Sequence, residues 1–407
     1  MTPPLPNLRE PQALLAHIQH TLSFYAPRAK DPSGGYFHCY ADDGTVYDRR
    51  TRHLVSSTRF VFNTALAHRW FGAPLADVQH ALDFVRTAHL QPSGEGYAWE
   101  IDWHEGKATV RDGTNHCYGL AFVLLAHAHA ADVGVPGAAQ GIADTFELME
   151  RRFWLPEHGL YADEATPDWQ VGSYRGQNAN MHSCEAMLAA HAATGEARYL
   201  DRALLLAEGI ARKQAAKAEG LVWEHYRQDW SPDWDYNRHD KTNIFRPWGY
   251  QTGHLTEWAK LLMQLDRRLG SAAPDWLVPT ACHFFNTAMR LGWDATHGGL
   301  VYGFGPDEQV CDGDKYFWVQ AESLAAAAWL AVRTGEPRYW EAYDRLWAYA
   351  WQHFIDHERG AWWRQLHPDN RKVDTKKSPP GKTDYHTMGA CQDVLAALKV
   401  QPNQEAR

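Results

Sequence analysis

"ATGEARYLDRALLLAEGIA" at residues 193–211 and "RTGEPRYWEAYDRLWAYAW" at 333–351 carry the same T-G-E-x-R-Y turn, 140 residues apart. In each, the turn opens a run whose apolar residues recur at helical spacing. Self-similarity of this kind marks a repeat architecture. Working outward, six segments rich in glycine and aromatics read as short β-hairpins: "GGYFHCYADDG", "GEGYAWEIDWHEG", "HGLYADEATPDW", "GLVWEHYRQDW", "GGLVYGFGPD" and "GAWWRQLHPDN". They begin at residues 34, 94, 158, 220, 298 and 360, a spacing of 60 to 64 with one longer step of 78. A helix-periodic run follows each hairpin, and a second helix usually leads to the next.

With the helix before the first hairpin, at about residues 11 to 26, the chain supplies twelve helices in alternating pairs. Six of them, starting near Ser56, Thr114, Gln177, Tyr250, Lys315 and Asp384, are rich in Ala, Leu and small residues and carry polar groups in their first turns. The other six, such as "PLADVQHALDFVRTAHL" and "EPRYWEAYDRLWAYAWQHF", are amphipathic, with one face for packing and one for water. The pattern predicts an all-α fold. It is an (α/α)6 barrel of six inner and six outer helices, with hairpins over the active-site end and residues 1–407 forming one catalytic domain.

Composition narrows the function. A net charge of −9 with acids and bases interspersed points to no nucleic acid and no polybasic membrane anchor. No apolar stretch approaches the roughly 20 residues of a membrane span. Six scattered cysteines without a C-x-x-C pair, and no signal-type run behind "MTPPLPNLREPQ", fit a reduced, cytoplasmic enzyme. The 19 Trp, 18 Tyr and 15 Phe exceed what one core requires, and flat aromatic faces pack well on the C–H faces of sugars.

In the barrel reading, all six inner helices start at the same end, so their first turns converge. Those turns hold Arg59, His116, Asn180, His182, His254, Glu257, Trp318, Gln320, Glu322 and His386. Helix N-termini also aim N–H groups into the same funnel and favour developing negative charge. Each residue has a plainer reading: a lone His in an apolar helix is usually a hydrogen-bonded core residue, and Arg59 in "STRFVFNTALA" suits a structural salt bridge equally well. The tracts "RRF", "RKQAAKAEG" and "RKVDTKKSPPGK" read as solvated surface, the last also as a mobile rim before His386.

Two His-x-x-Glu pairs, His182/Glu185 and His254/Glu257, raise the question of a metal. Carboxylate-bridged dimetal bundles use Glu-x-x-His, in the opposite order and with further bridging glutamates, and there is no H-E-x-x-H. A carboxylate one turn after a His also suits receipt of an imidazole N–H, fixing its tautomer. We therefore expect Glu257 to orient His254, with no metal and no cofactor.

The segments "TRHLVSSTRFVFNTA", "QNANMHSCEAML", "FRPWGYQTGHLTEWAKLL", "DKYFWVQAESLAAAAWL" and "DYHTMGACQDVLAAL" together resemble the N-acylglucosamine 2-epimerase superfamily over about residues 30 to 398. Within it they are most similar to the branch of bacterial mannose isomerases and sulfoquinovose isomerases. The resemblance implies an (α/α)6 barrel, cofactor-free sugar chemistry and two catalytic histidines at His254 and His386, with Arg59, His182 and Glu257 as further site residues. On that basis the expected reaction interconverts D-mannose and D-fructose, or a related aldose such as lyxose, through a cis-enediolate. His386 would move the proton between C2 and C1, and His254 would open the ring and shuttle the proton between O1 and O2; the two can exchange roles. A sugar 2-epimerase would use the same residues. A glycoside hydrolase would need a general acid and a second carboxylate, and a sugar- or partner-binding protein would tolerate loss of His386. A sulfonated sugar would need a basic contact near C6, for which Arg238, Lys241 and Arg246 are the nearest candidates. No motif specifies an oligomer; a homodimer would use an outer-helix face.

Overall fold

The computed structural model describes residues 2–26, 28–240, 243 and 246–402. Among them are twelve α-helices: α1 Pro11–Tyr25, α2 Leu54–Phe71, α3 Leu75–Ala88, α4 Cys117–Asp132, α5 Ala138–Arg152, α6 Gln177–Thr194, α7 Ala197–Ala207, α8 Thr252–Leu269, α9 Leu277–Gly292, α10 Phe317–Thr334, α11 Pro337–His353 and α12 Tyr385–Ala397. A π-helical stretch, Glu208–Gln214, continues α7. The expected helix starts lie within three residues of those observed.

Two compact units divide the chain. Unit I is Phe24–Gly209 with Lys376–Tyr385, and unit II is built from the residues up to Ser23, Ile210–Thr375 and His386–Gln401. In unit I, α4 packs between α2 and α6, and each of these three helices packs on the helix that follows it, α3, α5 or α7. Unit II repeats the scheme: α8 packs on α10 and on α9, and α10 also packs on α11. Ala321 and Ala325 of α10 meet Ala390 of α12, where small side chains let the two helices approach. The sequence difference between the two helix classes follows from this. Every residue of α10 from Phe317 to Ala331 is buried, as expected of a helix enclosed on all sides, whereas α11 buries only one stripe from Tyr339 to Ala350.

The repeated turn is wired identically in both units. Gly195 and Gly335 sit in the left-handed region, at φ 74° and 73°, and donate their N–H groups to His191 and Ala331 at the ends of α6 and α10. Thr194 and Thr334 donate their hydroxyls to Ala190 and Leu330, each at 2.8 Å, and accept the N–H of Glu196 and Glu336 at 3.2 Å. Glu196 and Glu336 then pair with Arg198 and Arg338, and each Arg donates to the next Tyr hydroxyl. All the shared letters of the motif therefore serve the turn between an enclosed helix and an amphipathic one.

Short antiparallel strands tie helix entrances to hairpins elsewhere in the chain. Thr51–His53, before α2, pairs with Glu100–His104. Asn115–His116 pairs with Glu164–Ala165, Tyr250–Gln251 with Gly303–Phe304, Lys315–Tyr316 with Gln365–Leu366, and Lys376–Ser378 with Cys39–Ala41. Residues 371–376 of "RKVDTKKSPPGK" are exposed, as the reading of a solvated tract expects, and this last pairing corrects that reading from Lys377 onward. Lys377 is fully buried with its ammonium over the Phe24 ring, because a strand that delivers a helix must itself be paired.

Candidate active site

In unit II the starts of three helices bring His254, Trp318 and His386 together, as the third residue of α8 and the second residues of α10 and α12. The Trp318 ring neighbours both imidazoles, its centroid 5.0 Å from His254 and 5.9 Å from His386. Gly253 makes this possible: a Cβ there would stand 2.4 Å from Trp318 Cζ3. The Trp318 indole N–H is buried without an acceptor among the described residues.

Each imidazole is held by a carboxylate at Nδ1. His386 Nδ1 is 2.7 Å from Glu322 Oε1, and His254 Nδ1 is 2.9 Å from both oxygens of Glu224. A carboxylate acceptor at Nδ1 fixes the proton on that nitrogen and leaves the basic lone pair on Nε2. The expectation for Glu257 is corrected here, since the carboxylate that orients His254 is Glu224. Glu224 precedes the short strand His225–Tyr226, next to Trp223, whose fully buried indole donates to Asp233 O at 3.1 Å. Alternation along an extended segment turns Glu224 away from Trp223 and toward the ring. Glu257 faces the other imidazole: Glu257, Glu322 and His386 each place a donor atom within 4.8 Å of the other two. Such a trio has the spacing of a cation site, but both Glu322 oxygens are already engaged, one by His386 and the other by the Lys260 ammonium at 2.6 Å.

In unit I a second group forms around the Phe122 ring. Arg59 lies over Phe122 at 4.7 Å and over Tyr385 at 5.0 Å, and donates to Gly381 O at 2.5 Å. His182 packs against Tyr118 and Phe122, with its Nδ1 2.8 Å from Glu185 Oε2. Tyr385 donates its hydroxyl to the other Glu185 oxygen at 2.7 Å. Of the two His-x-x-Glu pairs, this one closes within its own helix. His116 caps α4 beside Trp99, ring centroids 4.2 Å apart, and its Nδ1 is 3.7 Å from Glu164, beyond hydrogen-bond range.

Two expected sugar contacts are structural instead. Asn180 accepts from Tyr161 N at 2.8 Å and donates to Tyr161 O at 3.0 Å, and Gln320 makes the same clasp on Leu300 at 3.0 and 2.8 Å. Each is the fourth residue of its helix, where a buried amide satisfies the hairpin backbone that meets it. The residues missed by sequence reasoning are Glu224 and Lys260. Glu224 carried one legible signal, an acid inside an otherwise aromatic hairpin. Lys260 carried another, a lone cation in the apolar run "WAKLL". Of the C6 candidates, Arg238 is exposed and pairs with Asp235 at 3.2 Å, Arg246 reaches the Tyr236 hydroxyl at 3.3 Å, and Lys241 lies outside the described residues.

Residues 35–390 match the N-acylglucosamine 2-epimerase (GlcNAc 2-epimerase) family. The chain belongs to that family. Within it, the chain is 51% identical over 391 residues to a D-mannose isomerase of Marinomonas mediterranea, covering 95% of this chain and 97% of the relative. It is 34% identical over 386 residues to a D-mannose isomerase of Thermobifida fusca, covering 92% and 91%. A D-mannose isomerase crystal structure superposes with a TM-score of 0.92 at 50% identity, covering 96% of this chain and 99% of the other. For this N-acylglucosamine 2-epimerase family member, no helix among the described residues is long and apolar enough to cross a membrane, and none of the six cysteines is in a disulfide.

Proposed function

We propose that this protein is a cytoplasmic, metal-independent aldose–ketose isomerase that interconverts D-mannose and D-fructose, its twelve helices forming one (α/α)6-barrel domain. The observation that carries the reading is the pair of carboxylate-backed imidazoles that both neighbour Trp318. A neutral imidazole of pKa near 6.5 is a suitable base around pH 7 for the C–H next to an aldehyde. His386 takes the C2 proton, the C1=C2 bond forms and the carbonyl electrons move to O1, giving a cis-enediolate. His254, through its free Nε2, then takes the proton from O2–H and delivers it to O1. As His386 returns its proton to C1, the C2=O2 bond forms and the ketose results. Trp318 supplies an apolar face and an indole N–H for a sugar hydroxyl. Arg59, His116 and His182 complete the proposed substrate contacts, Arg59 and His182 on the strength of the family resemblance.

A second reading, sugar 2-epimerisation, is favoured by the presence of two carboxylate-backed imidazoles, since it needs an acid on each side of C2. The likeness to D-mannose isomerases over nearly the whole chain supports the first. Mannose incubated with the enzyme in D2O and followed by NMR decides between them. Fructose accumulating as the dominant product supports isomerisation, while early C2-deuterated glucose without fructose makes the enzyme a 2-epimerase.

A further inference from the structure

Lys260 is a buried ammonium in the body of α8, flanked in sequence by Trp258, Ala259, Leu261 and Leu262. An apolar residue there would avoid the desolvation of a charge, so its presence needs a reason beyond packing. Its Nζ donates to Glu322 Oε2 at 2.6 Å and lies 3.4 Å from Asp393 Oδ2. Since the other Glu322 oxygen receives His386 Nδ1 at 2.7 Å, a charged line runs Asp393, Lys260, Glu322, His386 across α12, α10 and α8. Glu257 of α8 is the further acid facing the His386–Glu322 pair. Asp393 also accepts from Gln264 at 2.9 Å and faces Arg268.

We propose that Lys260 is a positioning residue for proton transfer: by holding Glu322 from behind, it sets how firmly the His386–Glu322 pair keeps its proton. A carboxylate shared only with an imidazole, beside a second carboxylate, binds that shared proton tightly and makes His386 a poor base near neutral pH. An ammonium on the far oxygen draws charge away and releases the proton at lower pH. Asp393 tempers the ammonium in turn. The proposal rests on the reading of His386 as the base, and it makes predictions of opposite sign at the two ends of the line.

Lys260→Met, Lys260→Arg and Asp393→Asn are compared with wild type by two measurements: NMR titration of the His386 imidazole in the sugar-free enzyme, and the pH profile of kcat/KM for mannose. In Lys260→Met the midpoint and the acid limb move up by about one pH unit, so that turnover well below the limb falls about tenfold. Lys260→Arg restores both, and Asp393→Asn moves both down. An unchanged His386 midpoint in Lys260→Met and Asp393→Asn, or shifts of the same sign, overturns the proposal. If Lys260→Met does not fold, the downward shift in Asp393→Asn, whose side chain is partly exposed, decides it alone. If the midpoints move as stated while wild type leaves mannose unchanged, the coupling stands and the assigned reaction falls.

Discussion

At the scale of single residues, the decisive fact is which carboxylate reaches which imidazole. Glu224 and His254 are 30 residues apart, and Glu322 and His386 are 64 apart, so neither pair is visible as a motif. Helical spacing made Glu257 the natural partner of His254, and for His182 and Glu185 the same spacing was a correct guide. If Glu224 fixes the His254 tautomer, Glu224→Gln lowers kcat for mannose by about 10²-fold with thermal unfolding unchanged. Near-normal turnover in that variant returns the role to Glu257. His386→Asn and His254→Asn are each expected to lower kcat by about 10²- to 10⁴-fold while the circular dichroism spectrum is retained. Exhaustive dialysis against a chelator is expected to leave the rate unchanged, with no stoichiometric metal found by elemental analysis. Activity lost on chelation and restored by one divalent ion would assign Glu257, Glu322 and His386 to a cation instead.

Among elements, glycines in two settings separate catalysis from stability. Gly253 lies inside α8, where a Cβ would stand 2.4 Å from Trp318 and 2.9 Å from Val319 Cγ2. Gly253→Ala therefore displaces the ring beside the two histidines, and a fall in kcat of about tenfold or more is expected along with about 1–3 kcal/mol of destabilisation. Gly335 has open space around it but a φ of 73°, so Gly335→Ala costs about 1 kcal/mol through backbone strain alone. Its kcat should equal wild type; chemical denaturation and steady-state kinetics on the two variants check the contrast. The elements were highly legible because periodicity and caps are local properties, and the T-G-E-x-R-Y turn showed where each pair bends. The amide clasps of Asn180 and Gln320 were not, because an amide in a first helical turn suits a ligand as well as a hairpin backbone.

For the whole molecule, buried histidines tie stability to pH. His53 and His89 are wholly buried and held down to about 3 and about 4, chiefly by desolvation, and His38 lies well below its ordinary value for the same main reason. Ser57 Oγ lies 2.8 Å from His89 Nε2 and 3.5 Å from His38 Nε2, and His53 caps α2 by accepting from Val55 N, so these rings serve packing. The unfolded chain takes up protons below pH 6.5 that the folded chain refuses, so this stability is fully present above pH 6.5 and is lost as pH falls toward 4. The melting temperature should fall by about 5 °C or more between pH 7 and pH 5; a flat profile would show that these rings are protonated in the folded state. By itself the sequence determined the twelve helices, their alternation between enclosed and amphipathic faces, the repeated turn and the family, because each depends on spacings of a few residues or on ordered motifs. Only the tertiary structure decided that Glu224 orients His254, that Lys260 stands behind Glu322 and that Asn180 and Gln320 hold hairpins. Those contacts join groups 19 to 64 residues apart, and no local periodicity encodes which of several buried polar groups will meet.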